Sequence, residues 1–322
     1  MQQHKQGKMK VAVIGTGVIG NGWITRFLAQ GYHVTAFDPA EGAETRTRQS
    51  ISRAWDSVEK IGIAANASLE NLTFVPTIEE AVKDAYLIQE NVPEREDLKK
   101  SVLGQIDKFA KPDAIIGSST SGIKPSILQE DLLHPERFLV AHPFNPVHIL
   151  PLVELVGGQS TEQTIISQAA AFYKSIQMKP LVVQQEIEGH IADRLMEALW
   201  REALHLVNDG IATTEEVDAA IIYGAGLRWA QMGPFLTFHL AGGEQGMRHM
   251  LKQFGPALKL PWTKLEAPDL TDDLKEKVVE GCENHAGDKT VAELEDKRDE
   301  FLVKLLDLVE EYWPESKQLA KN

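Results

Sequence analysis

The sequence predicts an α/β protein: an N-terminal Rossmann-type, doubly wound parallel sheet followed by an all-helical C-terminal domain. Three observations lead there. Short β-rich runs alternate with helical stretches through the first half, and such alternation builds a mostly parallel sheet with right-handed crossovers. A Gly-rich turn joins the first strand to the first helix. Beyond about residue 186 the strands stop, and apolar residues recur at helical spacing. The domains are therefore expected at 1–186 and 187–322.

The elements follow in order. Lys10–Ile14 reads as a strand, Asn21–Gln30 as a helix and His33–Phe37 as a second strand. Glu44–Ile61 is a longer amphipathic helix. Phe74–Val75 and Ala85–Gln89 are strands flanking a short helix, Glu79–Lys83. Helix Glu94–Phe109 leads to strand Ala114–Gly117, and Arg137–Ala141, Leu152–Val156 and Leu181–Val183 complete the set. In the second half, Ile191, Leu195, Ala198, Leu199 and Leu206 share one face of a helix over Gly189–Asp209. Thr214 is the expected N-cap of a helix over Glu215–Ile222, and Thr290–Tyr312 is also helical in period.

Bulk properties narrow the function. Hydrophobic residues make up 43% and charged residues 25% of the 322 positions, an ordinary globular balance. The net charge of −14 opposes nucleic acid or an anionic membrane as the main partner. The leader MQQHKQGK is polar, and the first apolar run, Val11–Ile14, is too short to cross a bilayer, so a cytoplasmic location is expected. Cys282 is the single cysteine, which excludes an intramolecular disulfide; it reads as an inert thiol. No metal site is expected.

Gly15-Thr16-Gly17-Val18-Ile19-Gly20 fits G-x-G-x-x-G between a strand and a helix, the setting in which that motif binds a dinucleotide. Gly15 permits the tight turn, Gly17 lets backbone approach a pyrophosphate, and Gly20 allows close helix–strand packing. Asp38 ends the second strand, 18 residues after Gly20. A carboxylate there accepts hydrogen bonds from ribose and repels the 2′-phosphate of NADP. NAD is the expected cofactor, with FAD the alternative.

The chemistry is expected beyond the C-terminal ends of the strands. His142 follows Arg137–Ala141 and is a candidate base; Glu154, in PLVEL, can orient its ring and balance the imidazolium. Ser118–Ser121 cluster hydroxyls at the end of Ala114–Gly117.

GTGVIG with Asp38, ENVPE at 90–94, SSTSG at 118–122, HPFNP at 142–146, LVEL at 152–155 and GHIADRL at 189–195 occur in that order. Over roughly residues 9–250 the chain resembles the 3-hydroxyacyl-CoA dehydrogenase superfamily. The resemblance implies a catalytic dyad of His142 and Glu154, an active-site serine at Ser121, Glu90 near the nicotinamide ribose, and a homodimer formed through the helical domain. Where the superfamily usually has G-F-x-x-N-R-L, this chain has Asp193 in place of Asn. The continuations MEALWREALHLVNDG and GAGLRWAQMGP resemble most the branch that oxidises L-carnitine to 3-dehydrocarnitine; the L-gulonate branch is more distant. A quaternary-ammonium 3-hydroxy acid implies recognition by aromatic faces and a carboxylate. Phe144, Trp229, Phe235 and Phe238 with Asp193 are the candidates, expected where the two domains meet. Ser121 and Asn145 are expected to position the substrate oxygen.

Two rivals stand beside this reading. A 3-hydroxyacyl-CoA dehydrogenase would need cations for its polyanionic substrate, and helix Glu44–Ile61 carries Arg46, Arg48, Arg53 and Lys60 among acids. A crystallin-like structural protein would not need His142, Glu154 and Ser121 together.

Overall fold

The computed structural model describes residues 9–230, 233–242, 244, 246–264, 271–274, 276, 288 and 290–312. The polar leader and Cys282 lie outside the described residues. The chain divides into two compact units, Met1–Arg194 and Leu195–Asn322.

The first unit is built on eight strands: β1 (Lys10–Ile14), β2 (His33–Phe37), β3 (Leu72–Phe74), β4 (Leu87–Glu90), β5 (Ile115–Ser118), β6 (Phe138–Pro143), β7 (Leu152–Val156) and β8 (Lys179–Val183). Their order in the sheet is β3-β2-β1-β4-β5-β6-β7-β8. All neighbours run parallel except β6 and β7, which are antiparallel. Helices α1 (Val18–Ala29), α2 (Ala43–Ile61), α3 (Ile78–Val82), α4 (Glu96–Phe109), α5 (Pro125–Gln129) and α6 (Gln163–Ser175) join them. This is the doubly wound class expected from the alternation of elements. Helix α6 was not anticipated: its opening Thr164-Ile165-Ile166 is β-branched and obscures the helical period.

Side-chain alternation explains why both faces of the sheet are dry. Along β1, Val11 and Val13 point into one core with Trp23, Phe27, Tyr32 and Tyr173. Ala12 and Ile14 point into a second core with Ile78, Leu103, Ile106 and Phe138. A parallel sheet covered on both sides requires such continuous apolar runs. Aromatic packing adds to the first core: Trp23 lies 5.4 Å, centroid to centroid, from both Phe27 and Tyr173.

In the second unit, α7 (Ala192–Asn208) carries on from the end of the first. It is followed by α8 (Thr214–Ala220), a π-turn over Ile221–Ala225, α9 (Gly226–Trp229), α10 (Pro234–Ala241), α11 (Gly246–Phe254) and α12 (Val291–Tyr312). No strand occurs in it among the described residues. The cap of α8 is Thr213, one residue earlier than expected. Thr213 accepts from Glu216 N–H while the Glu216 carboxylate accepts from Thr213 N–H; counted from Thr214, the reciprocal position is Val217, which has no acceptor. Among the described residues no helix is long and apolar enough to cross a membrane.

Candidate active site

The cofactor cleft starts at the β1–α1 turn. Gly15 has φ +85°, and a Cβ there would sit 2.9 Å from the Asn91 backbone. A Cβ on Gly20 would collide with Gly15 O at 2.0 Å. Around Gly17 there is no atom within 4 Å of such a Cβ. That free space would admit a pyrophosphate. Gly17 caps α1 without a side-chain hydrogen bond, so the first N–H groups of the helix stay free for an anion. A cleft of about 670 Å³ opens here, lined by Gly15, Gly17, Asp38, Asn91, Lys99 and Ser121 among others. The donors, the space and the acidic residue at the end of β2 together fit a dinucleotide.

Asp38 is held rather than free. Its Oδ2 accepts from Thr16 N–H at 2.8 Å and from the Thr16 hydroxyl at 3.1 Å, while Oδ1 accepts from Ala40 N–H at 2.9 Å. Oδ1 keeps one lone pair for a ribose hydroxyl.

The candidate catalytic residues come together at the antiparallel step in the sheet. His142 on β6 and Glu154 on β7 are cross-strand partners. His142 Nδ1 donates to Glu154 Oε2 at 3.0 Å. The other carboxylate oxygen accepts from Ile191 and Ala192 N–H, each at 2.9 Å. Burial pushes the Glu154 carboxyl up, but the bonds from His142, Ala192 and Ile191 outweigh it and hold the group below the usual carboxylate range. A carboxylate at Nδ1 sets the tautomer and leaves Nε2 bare to accept a proton. Nε2 faces Asp193, whose Oδ2 is 3.6 Å away. Phe144 packs edge-on to His142 with ring centroids 5.2 Å apart.

A buried polar chain supports the floor of the site. Tyr173 donates to Gln89, Gln89 donates to Ser119, and Ser119 donates to Asn91. Trp23 also donates to Ser119. The loop 120–122 is clamped by Glu94, whose Oε1 accepts from the Thr120 hydroxyl and from Ser121 and Gly122 N–H.

Residues 10–187 match the NAD binding domain of 3-hydroxyacyl-CoA dehydrogenase, and residues 189–282 match its C-terminal domain. The chain belongs to the 3-hydroxyacyl-CoA dehydrogenase family. Among relatives of this dehydrogenase, the L-carnitine dehydrogenase of Oceanobacillus iheyensis is 72% identical over 305 residues, covering 95% of this chain and 99% of the relative. That of Bacillus cereus is 66% identical, covering 96% and 95%. The crystal structure of 5-formyl-3-hydroxy-2-methylpyridine 4-carboxylic acid 5-dehydrogenase, an NAD-dependent dismutase, superposes with a TM-score of 0.78 at 27% identity, covering 94% of this chain and 98% of that one. The cofactor of the dehydrogenase is NAD.

Of the residues singled out from sequence, the structure brings His142, Glu154, Phe144 and Asp193 together. Ser121 is exposed on the clamped loop, and Asn145 is exposed in the turn after β6. The Glu90 side chain does not reach the cleft. It is fully buried, accepts from Lys99, from the Ser118 hydroxyl and from Val92 N–H, and leaves Lys99 to line the cleft instead. Burial pushes the Glu90 carboxyl above its ordinary range against the pull of Lys99 and Ser118. Trp229, Phe235 and Phe238 belong to the second unit, where each is exposed.

Sequence reasoning assigned no role to Gln89, Glu94, Lys99 and His190. Polar residues inside a central strand, as in LIQEN, were the available signal: buried Gln and Glu there require partners.

Proposed function

We propose that this dehydrogenase oxidises the C3 hydroxyl of L-carnitine to 3-dehydrocarnitine, with NAD as the hydride acceptor. The observation that carries the substrate choice is Asp193, 3.6 Å from the bare nitrogen of His142. A carboxylate beside the proton-accepting atom suits a substrate whose fixed cation lies one carbon from the carbinol. An uncharged acyl thioester would gain nothing from it and would desolvate the charge. The 72% identity to an L-carnitine dehydrogenase over nearly its whole length supports the same choice.

His142 Nε2 takes the hydroxyl proton as the hydride leaves C3. Glu154 holds the ring in the required tautomer and balances the imidazolium. Ser121 and Asn145 position the substrate oxygen. A quaternary ammonium has no N–H donor, so charge and ring faces must select it; Asp193 supplies the charge, and Phe144 supplies a face. When bound, NAD supplies the electrophilic nicotinamide carbon. The Gly15–Gly20 turn with Thr16, Val18 and Ile19 holds its pyrophosphate, and Asp38 its ribose. In this reading residues 1–186 hold the cofactor and carry His142 with its neighbours, and residues 187–322 supply Asp193 and self-association.

The working form in this reading is a cytoplasmic homodimer. Its support is an apolar groove of about 470 Å³ in the second unit, lined by Met196, Leu199, Trp200, Leu204 and Ile222. Met196 and Trp200 remain 54% and 52% exposed in the single chain. Light scattering at micromolar concentration should give twice the chain mass; a monomer refutes this part.

A panel of L-carnitine, L-gulonate and 3-hydroxybutyryl-CoA, followed by NADH absorbance, tests the substrate. L-Carnitine should have the highest kcat/KM. A higher value for 3-hydroxybutyryl-CoA overturns the assignment.

A further inference from the structure

The motif GHIADRL departs from the superfamily's G-F-x-x-N-R-L at two positions, and His190 is the second. It is fully buried. Its ring lies 5.5 Å, centroid to centroid, from that of His142. Nε2 is 3.2 Å from the carbonyl oxygen of Thr120. A carbonyl only accepts, so Nε2 carries the proton and Nδ1 is a bare lone pair. Nδ1 is buried with no hydrogen-bond partner. A phenylalanine would fill the same space without that unmet acceptor. What the imidazole adds is the bond to Thr120.

The placement of that bond gives it a role. Thr120 directly precedes Ser121 on the loop that Glu94 clamps from the other side. Gly189 and His190 both have left-handed backbone, φ +71° and +47°. This double turn aims the next two N–H groups, Ile191 and Ala192, at Glu154 Oε1. A non-glycine residue in that conformation is strained and persists only where its surroundings hold it. His190 therefore ties two parts of the site: its backbone turn fixes Glu154, and its side chain fixes the serine loop.

We propose that His190 is a positioning residue for hydride transfer, an uncharged clasp whose Nε2–H holds the Ser121 loop in register with the His142–Glu154 pair. The charged and titratable groups around it are His142, Glu154 and Asp193. Burial pushes the His190 imidazole below its ordinary range, against the pull of Thr120, Glu154 and Asp193. A neutral ring is what the site needs, because a second cation beside His142 would oppose the imidazolium formed there.

The inference rests on the L-carnitine reading, so turnover by the unmodified enzyme is measured first and reports on that reading separately. Three variants then divide the roles of the ring. His190→Phe keeps the bulk and loses the donor. His190→Gln places an amide N–H where Nε2–H was. His190→Asn is too short to reach Thr120. His190→Phe and His190→Asn should lower kcat about tenfold to a hundredfold, the scale of an ångström-sized misplacement, with KM for NAD unchanged. His190→Gln should recover most of the lost kcat. In a Ser121→Ala background, His190→Phe should cost less than about threefold, because its effect runs through that serine. Thermal melting of each variant identifies any that fail to fold. His190→Phe with kcat within twofold of the unmodified enzyme overturns the proposal. So does His190→Gln as impaired as His190→Phe when both are folded, or a His190→Phe penalty undiminished in the Ser121→Ala background.

Discussion

Glu154→Gln is the sharpest perturbation of the proposed catalytic pair. Glu154 accepts three hydrogen bonds, one from His142 and two from backbone N–H groups. A glutamine has one acceptor oxygen, and the two N–H groups would claim it, turning its NH₂ towards His142 Nδ1. His142 could then remain hydrogen-bonded only by accepting at Nδ1, which moves its proton to Nε2. The nitrogen that must take the hydroxyl proton would be occupied. The loss is thus the whole general-base contribution, about 10²–10⁴ in kcat, or about 2.7–5.4 kcal/mol of barrier at 1.36 kcal/mol per tenfold. The assay is NADH formation at saturating L-carnitine and NAD, with KM for NAD expected to be unchanged. The double variant with His142→Ala should be scarcely worse than His142→Ala alone. A loss below tenfold, or fully additive losses, would refute the tautomer argument. Stability adds a pH signature. A carboxyl held below its unfolded value stabilises the fold above that unfolded value, and the contribution disappears as pH falls through the folded one. Melting temperatures of the parent and Glu154→Gln should therefore converge as pH drops below the ordinary glutamate range.

Three further outcomes follow from the same geometry. Asp38→Ala should erode the preference for NAD over NADP, measured as the ratio of kcat/KM values; comparable values for both cofactors in the unmodified enzyme would contradict the role of Asp38. Lys99→Met should cost about 3–5 kcal/mol in chemical denaturation, because it leaves the fully buried Glu90 carboxylate unpaired; adding Glu90→Gln should restore part of that loss, and no restoration would mean the pair is not the cause. Asp193→Asn should raise KM for L-carnitine, with desolvated cation–carboxylate and cation–π contacts worth about 2 kcal/mol or more, and leave KM for NAD unaltered; an unchanged KM for L-carnitine removes Asp193 as the charge partner.

The sheet and the dinucleotide turn were legible because each follows from local pattern: apolar runs of strand length, then glycines at spacings that only a close approach explains. His142 was legible from its place at a strand end. Its pairing with Glu154 was expected from the resemblance, but the register that brings the two together was not, since nothing in LVELV reveals that β7 runs against β6. The burial of Glu90 was hidden for a related reason. Its partner Lys99 is nine residues away on α4, and only the packed structure shows a lysine ammonium reaching under a strand. Thr120 and His190 are 70 residues apart in sequence, a separation at which motif spacing carries no information about contact. Thr213 shows the opposite case. The Thr-x-x-Glu pattern was present, and a complete reading of the reciprocal cap would have placed the start of α8 correctly.

The antiparallel register of β6 and β7 has a consequence for how this enzyme tolerates change. His142 and Glu154 stand opposite each other as one rung of a ladder that also includes Val140 with Val156 and Pro143 with Val153. Side chains in a strand alternate between faces, so deleting one residue inside either strand would send one member of the pair to the far side of the sheet. Insertions in the connection between the strands, residues 144–151, leave the rung intact. Variation in substrate preference can therefore accumulate in that connection, while the pairing of His142 with Glu154 is inherited unchanged with the sheet itself.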